Sequence, residues 1–418
     1  MKINNLSNKK ILIINPTGGS PDHGPNMRSY NLAKNLIAKG CEVTVISNSF
    51  FHKFYKLPVT KGLFTAENID EISYVWVKTK PYKSRGIRQV LNQLQFTYLL
   101  LFNFKKLNIS NIDCVICSSP PPFAIFPAKK IAKYFDVKLI FEIRDLWPEV
   151  IRELSGVSSY HPYIMFLKYA AKFAYREADN IVSVKKGEIE ILNQKYGVSE
   201  SKFNYIPNGY DLKDLNKEKC LPDNLKKILH ESSGKFVLAY VGSLSIAYDI
   251  EFLIKAAHKL KDNEDICFII AGDGPEEKSL KEYCHANSLK NVEFLGRVPG
   301  SYIQPILKKA SVGFLGYKKA DWLKYGVSSN KIFDYMACKL PIIASLETKY
   351  NPILEASCGI SVNPSDEKAL TNAILEMKNK PRKALNEMGD NGYEYLYKNH
   401  SFESIAFQYI ELLNKSDS

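Results

Sequence analysis

Short apolar runs alternate with helix-like segments along most of this chain, and the alternation starts twice. The first series opens with an apolar run at 11–15, followed by helical spacing over 26–39 and another apolar run at 42–47. A strand, a crossover helix and a second strand form a βαβ unit, and consecutive units build a doubly wound parallel sheet. The second series opens at 235–241. We therefore predict an α/β fold with two parallel sheets.

The division into domains follows from the break between the two series. The polar, charged segment 207–234 separates them, and 418 residues are enough for two domains at roughly 100–200 residues each. We predict one Rossmann-like domain over 1–210, a second over 211–395, and a helix within 396–418 that crosses back to the first. Two such domains that face a central cleft would bind ligands at the carboxyl ends of their strands.

Charge is distributed unevenly between the two halves. Residues 1–200 carry 28 Lys and Arg against 16 Asp and Glu, whereas residues 201–418 carry 29 against 28. An excess of positive charge on one half indicates an anionic partner, which could be a phospholipid headgroup, a diphosphate or a nucleic acid. The alternative is a solvated, lysine-rich face without a partner.

Cysteines and apolar runs bear on the compartment. Several of the eight cysteines lie in apolar runs, which is typical of reduced, buried thiols, and the pair Cys114 and Cys117 stands within one predicted strand. The start of the chain is polar, and no run reaches the roughly 18 apolar residues that a membrane span needs. We therefore expect a cytoplasmic protein.

Polar residues precede a predicted helix that begins near residue 330. Ser328 to Asn330 precede its apolar face and can cap it. The free N–H groups of that helix start, together with Lys331, form a suitable diphosphate site, and Asp334 follows one turn later, where it could hold ribose hydroxyls. The alternative is a capped surface helix.

This segment resembles the donor-site signature of the GT4 family of retaining glycosyltransferases, which have the GT-B fold. The family pattern is Glu, seven residues, Glu, then a strand like the one at 336–345. Here Gly326 and Asp334 take the two Glu positions, a departure that resembles the WbuB-like fucosaminyl and N-acetylhexosaminyl transferases of surface polysaccharide assembly. The resemblance implies GT-B, with two Rossmann-like domains.

The resemblance also implies where a nucleotide-sugar donor binds. Loops after four predicted strands would contact the diphosphate, the sugar and the nucleobase, and the first of them, at 242–249, lacks the basic pair that many members carry. Lys331, Arg297 or cations of the first half would then meet the phosphate charge. The expected donor-binding residues are Gly18, Gly19, Gly242, Ser243, Gly272, Gly274, Arg297, Val298, Gly326, Ser329, Asn330, Lys331 and Asp334.

A charged pair follows the predicted strand 138–143. Arg144 and Asp145 precede Trp147, and the string 144–149 resembles the same subgroup. We predict that Asp145 meets the acceptor hydroxyl or the transferring sugar, and that Arg144, Asp145 and Lys331 are catalytic. The alternative is a structural Arg144–Asp145 pair. Asp-x-Asp does not occur where a donor metal would bind, so we expect no metal.

Two basic, aromatic stripes occur in the first half. Lys83, Arg85 and Arg88 precede an apolar helix, and Lys168, Lys172 and Arg176 alternate with aromatic residues. Such stripes are typical of helices that bind a membrane surface, and we assign Trp147 to the same acceptor and membrane side. The alternative is a core-facing helix with a solvated basic side.

The resemblance, taken together with the basic first half, implies a retaining transferase. It would move an N-acetylated amino sugar from a UDP-sugar to a lipid-diphosphate-linked saccharide, at the inner face of the cytoplasmic membrane, in O-antigen or capsule synthesis, without cofactor or nucleic acid. The family mechanism is front-face attack, in which the leaving diphosphate helps to deprotonate the acceptor. The rivals are a GT-B epimerase of UDP-sugars and a non-catalytic protein that binds membranes or nucleic acid.

Overall fold

The computed structural model describes residues 9–83, 86–212 and 220–414. The chain divides into two compact units. Unit 1 comprises Met1–Pro207 and Phe402–Ser418, and unit 2 comprises Asn208–Ser401. The chain therefore leaves unit 1 after Pro207 and returns to it at Phe402.

The sheet of unit 1 has eight strands among the described residues, in the order β3-β4-β2-β1-β5-β6-β7-β8. All neighbouring pairs are parallel except β3 with β4. The strands are β1 Lys10–Ile14, β2 Glu42–Asn48, β3 Phe64–Ile69, β4 Ile72–Val77, β5 Cys114–Ser118, β6 Lys138–Ile143, β7 Asn180–Ser183 and β8 Phe203–Tyr205.

Both faces of this sheet are covered. Leu12 and Ile14 of β1 lie in one hydrophobic core, and the alternate residues Ile11 and Ile13 lie in another on the opposite face. A strand buried on both faces reads as one continuous apolar run, which is why β1 could be predicted from sequence. The helices that cover the sheet are α1 Arg28–Ile37, α2 Ile87–Asn103, α3 Ile125–Phe135, α4 Glu149–Ser155, α5 Pro162–Glu177 and α6 Glu188–Tyr196.

Unit 2 repeats the architecture with a six-stranded sheet among the described residues, in the order β11-β10-β9-β12-β13-β14, and all its pairs are parallel. Its strands are β9 Phe236–Val241, β10 Ile266–Ala271, β11 Val292–Gly296, β12 Val312–Gly316, β13 Ile342–Ser345 and β14 Gly359–Val362. Its helices are α7 Asp223–Glu231, α8 Ile250–Lys259, α9 Glu277–Ala286, α10 Ile303–Leu307, α11 Asn330–Ala337, α12 Pro352–Glu355, α13 Glu367–Asn379 and α14 Arg382–His400.

The last helix, α15 (Phe402–Asn414), packs on unit 1. Tyr409 on this helix donates a hydrogen bond to the buried carboxylate of Glu142, which is also paired with Arg28 at 2.8 Å. Arg28 Nη1 donates in turn to the carbonyl of Pro207 at 2.6 Å. One buried ion pair thus holds both the end of the first segment and the returning helix.

The predicted α/β class with two Rossmann-like parallel sheets is confirmed. Two elements differ from the sequence prediction. The predicted series of βαβ units did not include β3, which pairs antiparallel with β4. The segment 207–234, predicted as a polar linker, contains helix α7, whose Leu225 and Leu229 are buried one turn apart.

Two further facts concern the predicted compartment and the cysteine pair. Within the described residues, every helix is too short or too polar to cross a bilayer. Cys114 and Cys117 are both buried in β5, but they belong to the cores on opposite faces of the sheet. Side chains on opposite faces cannot share one ligand.

Candidate functional site

The side chain of Lys331 is the central feature of unit 2. Lys331 lies in the first turn of α11 and is only 8% exposed. Its Nζ lies 3.2 Å from the centre of the Tyr248 ring and 5.4 Å from that of Tyr240. Lys331 forms no ion pair with any residue in the described ranges. The aromatic faces thus stabilise an ammonium group that has no acidic partner within ion-pair distance.

Gly242 makes room for this lysine. A Cβ atom at Gly242 would lie 2.2 Å from Lys331 Cε, and the backbone φ of 137° is one that other residues rarely adopt. The glycine that follows β9 was predicted to let a donor diphosphate approach. In the structure, the space above it holds the Lys331 side chain, so Gly242 acts on the predicted diphosphate site through Lys331.

Gly272 and Gly274 have a related but separate function. A Cβ at Gly272 would lie 1.7 Å from the Gly242 carbonyl oxygen, and one at Gly274 would lie 2.2 Å from that of Leu244. The two loops pair through backbone hydrogen bonds, with Gly242 N donating to Ala271 O at 2.9 Å. These glycines are required because the loops after β9 and β10 lie backbone against backbone.

Burial shifts the pKa values of Lys331 and Asp334 towards each other. Desolvation lowers the pKa of Lys331 to about 7, and the charge of Asp334 opposes that shift. Desolvation also raises the pKa of Asp334 to about 7, opposed by Lys331. Since Asp334 follows Lys331 by three residues on α11, the two share one face of the helix. Burial thus disfavours the charged form of each side chain, and the attraction between the two charges opposes this effect.

The residues that precede α11 do not all make the contacts that the sequence predicted. Ser329 occupies the N-cap position, but its side chain makes no capping hydrogen bond; it bonds Tyr317 instead. The capping predicted for the segment Ser328 to Asn330 is therefore not made by the hydroxyl of the N-cap residue Ser329. Asn330 is exposed, and Gly326 is buried with φ 111°. A residue with a side chain, Glu included, would be strained at that φ.

The remaining predicted donor residues lie at the same edge of unit 2. Arg297 and Val298 directly follow β11; Arg297 is exposed, and Val298 is partly buried against the hydrophobic core on one face of the sheet. Ser243 is exposed, and its carbonyl accepts a hydrogen bond from Tyr240 Oη at 2.7 Å. The structure therefore brings the ends of β9, β10, β11 and β12 together with the start of α11.

In unit 1, the glycine loop after β1 folds on itself. A Cβ at Gly19 would lie 2.1 Å from the Pro25 carbonyl oxygen. The carbonyl of Gly18 accepts from Ser47 Oγ at 2.8 Å, and that of Gly19 accepts from Tyr74 Oη at 3.0 Å. Both glycines are buried. The close approach that Gly19 permits is thus an approach of the loop to its own backbone.

Arg144 clamps this loop. Its Nε donates to the carbonyl of Ser119 at 2.7 Å, its Nη2 donates to Thr17 Oγ1 at 3.1 Å, and its Nη1 donates to Asn26 Oδ1. Among the described residues, no Arg144–Asp145 ion pair occurs. The guanidinium therefore joins the ends of β1, β5 and β6, because each of its three nitrogens donates to a protein acceptor.

Several cations act electrostatically on Asp145, but none of those in the described residues lies within ion-pair distance of it. Its side chain is exposed in part, yet desolvation by the surrounding protein raises its pKa, while Lys185, Arg144 and Lys53 oppose the rise in that order. Lys185 follows β7 and is 6% exposed, and its Nζ lies 3.6 Å from Glu188 Oε1. Ser183 Oγ donates to Glu188 Oε2 at 2.6 Å, which fixes the carboxylate.

The predicted acceptor and membrane residues are only partly brought together. Lys83 and Arg88 are exposed near the start of α2, and Arg85 lies outside the described residues. Trp147 is half-buried and packs against a small cluster that contains Phe123 and Ile164. Trp147 is thus partly a core residue of unit 1.

Sequence reasoning missed several neighbours of the site. Tyr248 stands 83 positions before Lys331, and no local pattern links them. Asn208 is the first residue of unit 2, directly after Pro207, and its Nδ2 donates to the carbonyl of Ser328 at 3.2 Å. A polar residue beside the glycine of the turn 207–209 was the available signal for Asn208. Lys53 and Lys185 carried no signal beyond following predicted strands.

Two family models match the chain. "Glycosyltransferase Family 4" matches residues 23–214, and "Glycosyl transferases group 1" matches residues 235–380. An alpha-D-kanosaminyltransferase of Streptomyces kanamyceticus is 26% identical over 148 residues, which are 35% of this chain and 37% of that protein. An uncharacterised glycosyltransferase of Methanocaldococcus jannaschii is 26% identical over 142 residues, or 32% of this chain and 36% of the other. The matches thus span little more than a third of these relatives.

Solved structures are similar over nearly the full length. Sucrose-phosphate synthase of Thermosynechococcus elongatus superimposes with a TM-score of 0.69 at 18% identity, covering 97% of this chain and 98% of the other. HepE of Anabaena, solved in complex with UDP and glucose, gives a TM-score of 0.66 at 17% identity, covering 98% and 100%. At these identities the likeness shows a shared fold.

Proposed function

We propose that this chain is a glycosyltransferase of the GT-B type that uses a UDP-sugar and transfers an N-acetylated amino sugar to a lipid-diphosphate-linked saccharide. The proposal includes retention of configuration, a site at the inner face of the cytoplasmic membrane, and a place in O-antigen or capsule synthesis within the WbuB-like subgroup. It includes neither a metal nor a cofactor.

The environment of Lys331 is the main support for the proposal that a nucleotide sugar binds to unit 2. A lysine that is buried, lies over two aromatic rings and has no ion pair with a described residue is costly unless an anion binds beside it. The diphosphate of a nucleotide sugar supplies that anion. The N–H groups at the start of α11 also favour an anion, because the helix dipole stabilises negative charge at that end.

Two similar proteins support the choice of donor. HepE was solved with UDP and glucose, and the trehalose-6-phosphate enzyme of Escherichia coli was solved with UDP-2-fluoro glucose. The name of the Streptomyces relative is that of a kanosaminyltransferase, which concerns an amino sugar. These names favour UDP and an amino sugar for this chain.

In the proposed mechanism the protein positions the reactants and stabilises the leaving group. Lys331 neutralises charge on the departing diphosphate, whose oxygen accepts the proton of the acceptor hydroxyl as the sugar is attacked from the same face. Asp145 binds that hydroxyl and orients it. Arg144 is a positioning residue, because its donors hold the loop 17–26 in place.

A face of unit 1 supports the membrane part of the proposal. Helices α2, α3 and α5 pack side by side and carry seven Lys or Arg but only one acid, Glu177. Their exposed side also carries aromatic rings, and Lys130 Nζ lies 5.3 Å from the ring of Phe102. We call this the aromatic–basic face; its members are Tyr98, Phe102, Lys130, Tyr134, Phe166, Lys168 and Tyr169. Such a face suits the interface of an anionic bilayer.

The direct experiment is a screen of UDP-, GDP- and dTDP-sugars with a lipid-diphosphate acceptor, with the product identified by mass. We expect turnover with a UDP-N-acetylhexosamine and retention at the anomeric carbon. Epimerised UDP-sugar without any acceptor would favour the epimerase alternative.

Sedimentation with anionic vesicles tests the aromatic–basic face. Phe166→Ser/Tyr169→Ser should reduce the binding of the protein to the vesicles, and unchanged binding would refute the membrane part of the proposal.

A further inference from the structure

Four polar side chains of unit 1 meet at the ends of strands β5 and β6, and all four are buried. Glu142 of β6 is 2% exposed and Tyr409 of the last helix, α15, is 0% exposed. The other two are Arg28 of α1 and Ser118 of β5. Buried polar groups destabilise a fold unless they bind one another, so a group of this kind must be closely paired.

The Glu142 carboxylate is the centre of this group. Its Oε1 accepts from Ser118 Oγ at 2.6 Å, and its Oε2 accepts from Arg28 Nε at 2.8 Å and from Tyr409 Oη. The Tyr409 hydroxyl also hydrogen-bonds the Arg28 guanidinium. Desolvation raises the pKa of Glu142, but Arg28 and the two hydroxyls outweigh it, so the pKa lies below its usual value. The carboxylate is therefore charged and held by three side chains.

Glu142 also holds the end of β5 through its backbone. It lies opposite Ser118 in the last pair of the β5–β6 ladder, and its carbonyl accepts from Ser119 N at 2.9 Å. The carbonyl of Ser119 accepts in turn from Arg144 Nε at 2.7 Å. Glu142 and Arg144, which are two residues apart, therefore hold the same end of β5.

The predicted acceptor-side residues follow directly. Strand β6 ends at Ile143, and Arg144 and Asp145 are the next two residues. The position of these two residues depends on how the last residues of β6 are held. Since a displacement of about 1 Å at a reacting group can cost on the order of 100-fold in rate, the place of Asp145 is sensitive to the bonds of Glu142.

Helix α15 supplies one of these bonds from the far end of the chain. Tyr409 is 267 positions from Glu142. Its ring lies in the same hydrophobic core as Ile405 on its own helix and Ile140, which precedes Glu142 by two residues on β6. A hydroxyl on a ring that is fixed in a core loses little freedom when it forms a hydrogen bond.

We propose that Tyr409 is a positioning residue for the transfer reaction, acting through Glu142 on the segment 144–145. The inference rests on the proposed function, in which Asp145 binds the acceptor hydroxyl. It gives α15 a part in the reaction as well as in the packing of unit 1. Tyr409 itself touches no reacting atom.

Tyr409→Phe removes the hydroxyl but keeps the ring in the core. With UDP-N-acetylglucosamine and a farnesyl-diphosphate-linked saccharide, we expect kcat to fall about tenfold through misplaced reactants, with the Kd for UDP unchanged. The matched control is Tyr30→Phe, which removes another buried hydroxyl of unit 1, the one that donates to Asp70 in the turn before β4. The control should keep its kcat, and equal kcat values in the two variants would overturn the proposal.

A double variant tests whether Tyr409 acts through the segment that Arg144 holds. Tyr409→Phe/Arg144→Lys should lower kcat little more than Arg144→Lys alone, because the effects of coupled residues are not additive. A general loss of stability would not produce this result. Two separate losses that multiply in the double variant would overturn the proposal.

Hydrogen exchange without any substrate gives a measurement that does not depend on the proposed function. The amide of Trp147 donates to the Asp145 carbonyl at 2.9 Å. In Tyr409→Phe, the amides of 144–147 should exchange about tenfold faster than in Tyr30→Phe, the size expected for one lost hydrogen bond to a charged group. Equal exchange in the two variants would overturn the proposal. If the segment loosens as expected but the unaltered protein transfers no sugar, the proposed function fails and the link from Tyr409 to Asp145 stands.

Discussion

The ammonium of Lys331 lies 3.2 Å from the centre of the Tyr248 ring, and the stem of the same side chain fills the space above Gly242. Three segments of unit 2 meet in this arrangement: the end of β9, the turn at Ile246–Tyr248 and the start of α11. Lys331 is therefore held in one place before any ligand arrives. A preorganised cation loses little freedom when it binds an anion.

Gly242→Ala should displace Lys331. The new methyl group would lie 2.2 Å from Lys331 Cε, so we expect a stability loss of about 1–3 kcal/mol and a fall in UDP affinity of at least about tenfold. Titration calorimetry and denaturant unfolding measure the two effects. The matched control is Gly234→Ala, which also has positive φ but no neighbour within 4 Å; it should cost stability only. Equal UDP affinity in both variants would contradict the account of Gly242.

The affinity for UDP should fall as pH rises above about 7. Desolvation lowers the pKa of Lys331 to about 7 in the free protein, so above that pH the lysine must gain a proton when the diphosphate binds. The limit is about tenfold in Kd for each pH unit. Lys331→Arg keeps its charge and should make the profile less steep, because only the ionisation of Asp334 then opposes binding of the diphosphate. A wild-type profile that is flat from neutral to alkaline pH would refute this coupling.

Arg144→Lys should impair transfer without affecting the donor. A lysine cannot reach Ser119, Asn26 and Thr17 together, so the loop 17–26 loses its clamp. We expect kcat to fall by about 100-fold through misplaced reactants, with the Kd for UDP unchanged. Steady-state kinetics and calorimetry separate these quantities. If kcat were unchanged, the clamp would have no catalytic importance.

Asp145→Asn should abolish most transfer, by about 10²–10⁴-fold if the carboxylate orients the acceptor hydroxyl. Its pKa is raised by desolvation and lowered most by Lys185, so activity should fall at acidic pH as the carboxylate is protonated. Removing the cation in Lys185→Met raises that pKa further and moves the acidic limb of the rate profile upward. Lys186→Met, on the same loop but exposed, is the control. An acidic limb that moves equally in both variants would exclude Lys185 as the cause.

Local patterns predicted the parallel strands well, because a buried parallel strand is a short apolar run between turns. Helix α11 and Lys331 were also predicted, since their signal lies within a few residues. Helix α7 was missed because only Leu225 and Leu229 mark its buried face within a polar segment. Strand β3 was missed because its residues alternate little and its partner β4 sets the pairing.

The parts of the site that could not be predicted are contacts between distant segments. The position of the Tyr248 ring next to the Lys331 ammonium depends on which strand ends the fold brings together, and so does the electrostatic effect of Lys185 and Lys53 on Asp145. The glycines were predicted as ligand contacts, and this stays a prediction; the structure adds that Gly19, Gly272 and Gly274 allow close approach of backbone to backbone. A sequence shows that a position needs glycine, but not which atom lies opposite.

Thermal unfolding with UDP, in the unaltered protein and in Lys331→Met, tests the central claim most directly. UDP at 100 times its Kd should stabilise the unaltered protein by about 2.7 kcal/mol by mass action. Since desolvation disfavours the charged lysine in the folded protein, Lys331→Met should unfold at the same or a higher temperature below pH 7, yet lose most of the UDP-dependent shift. A full shift in Lys331→Met, or no shift with any nucleoside diphosphate in the unaltered protein, would contradict the account.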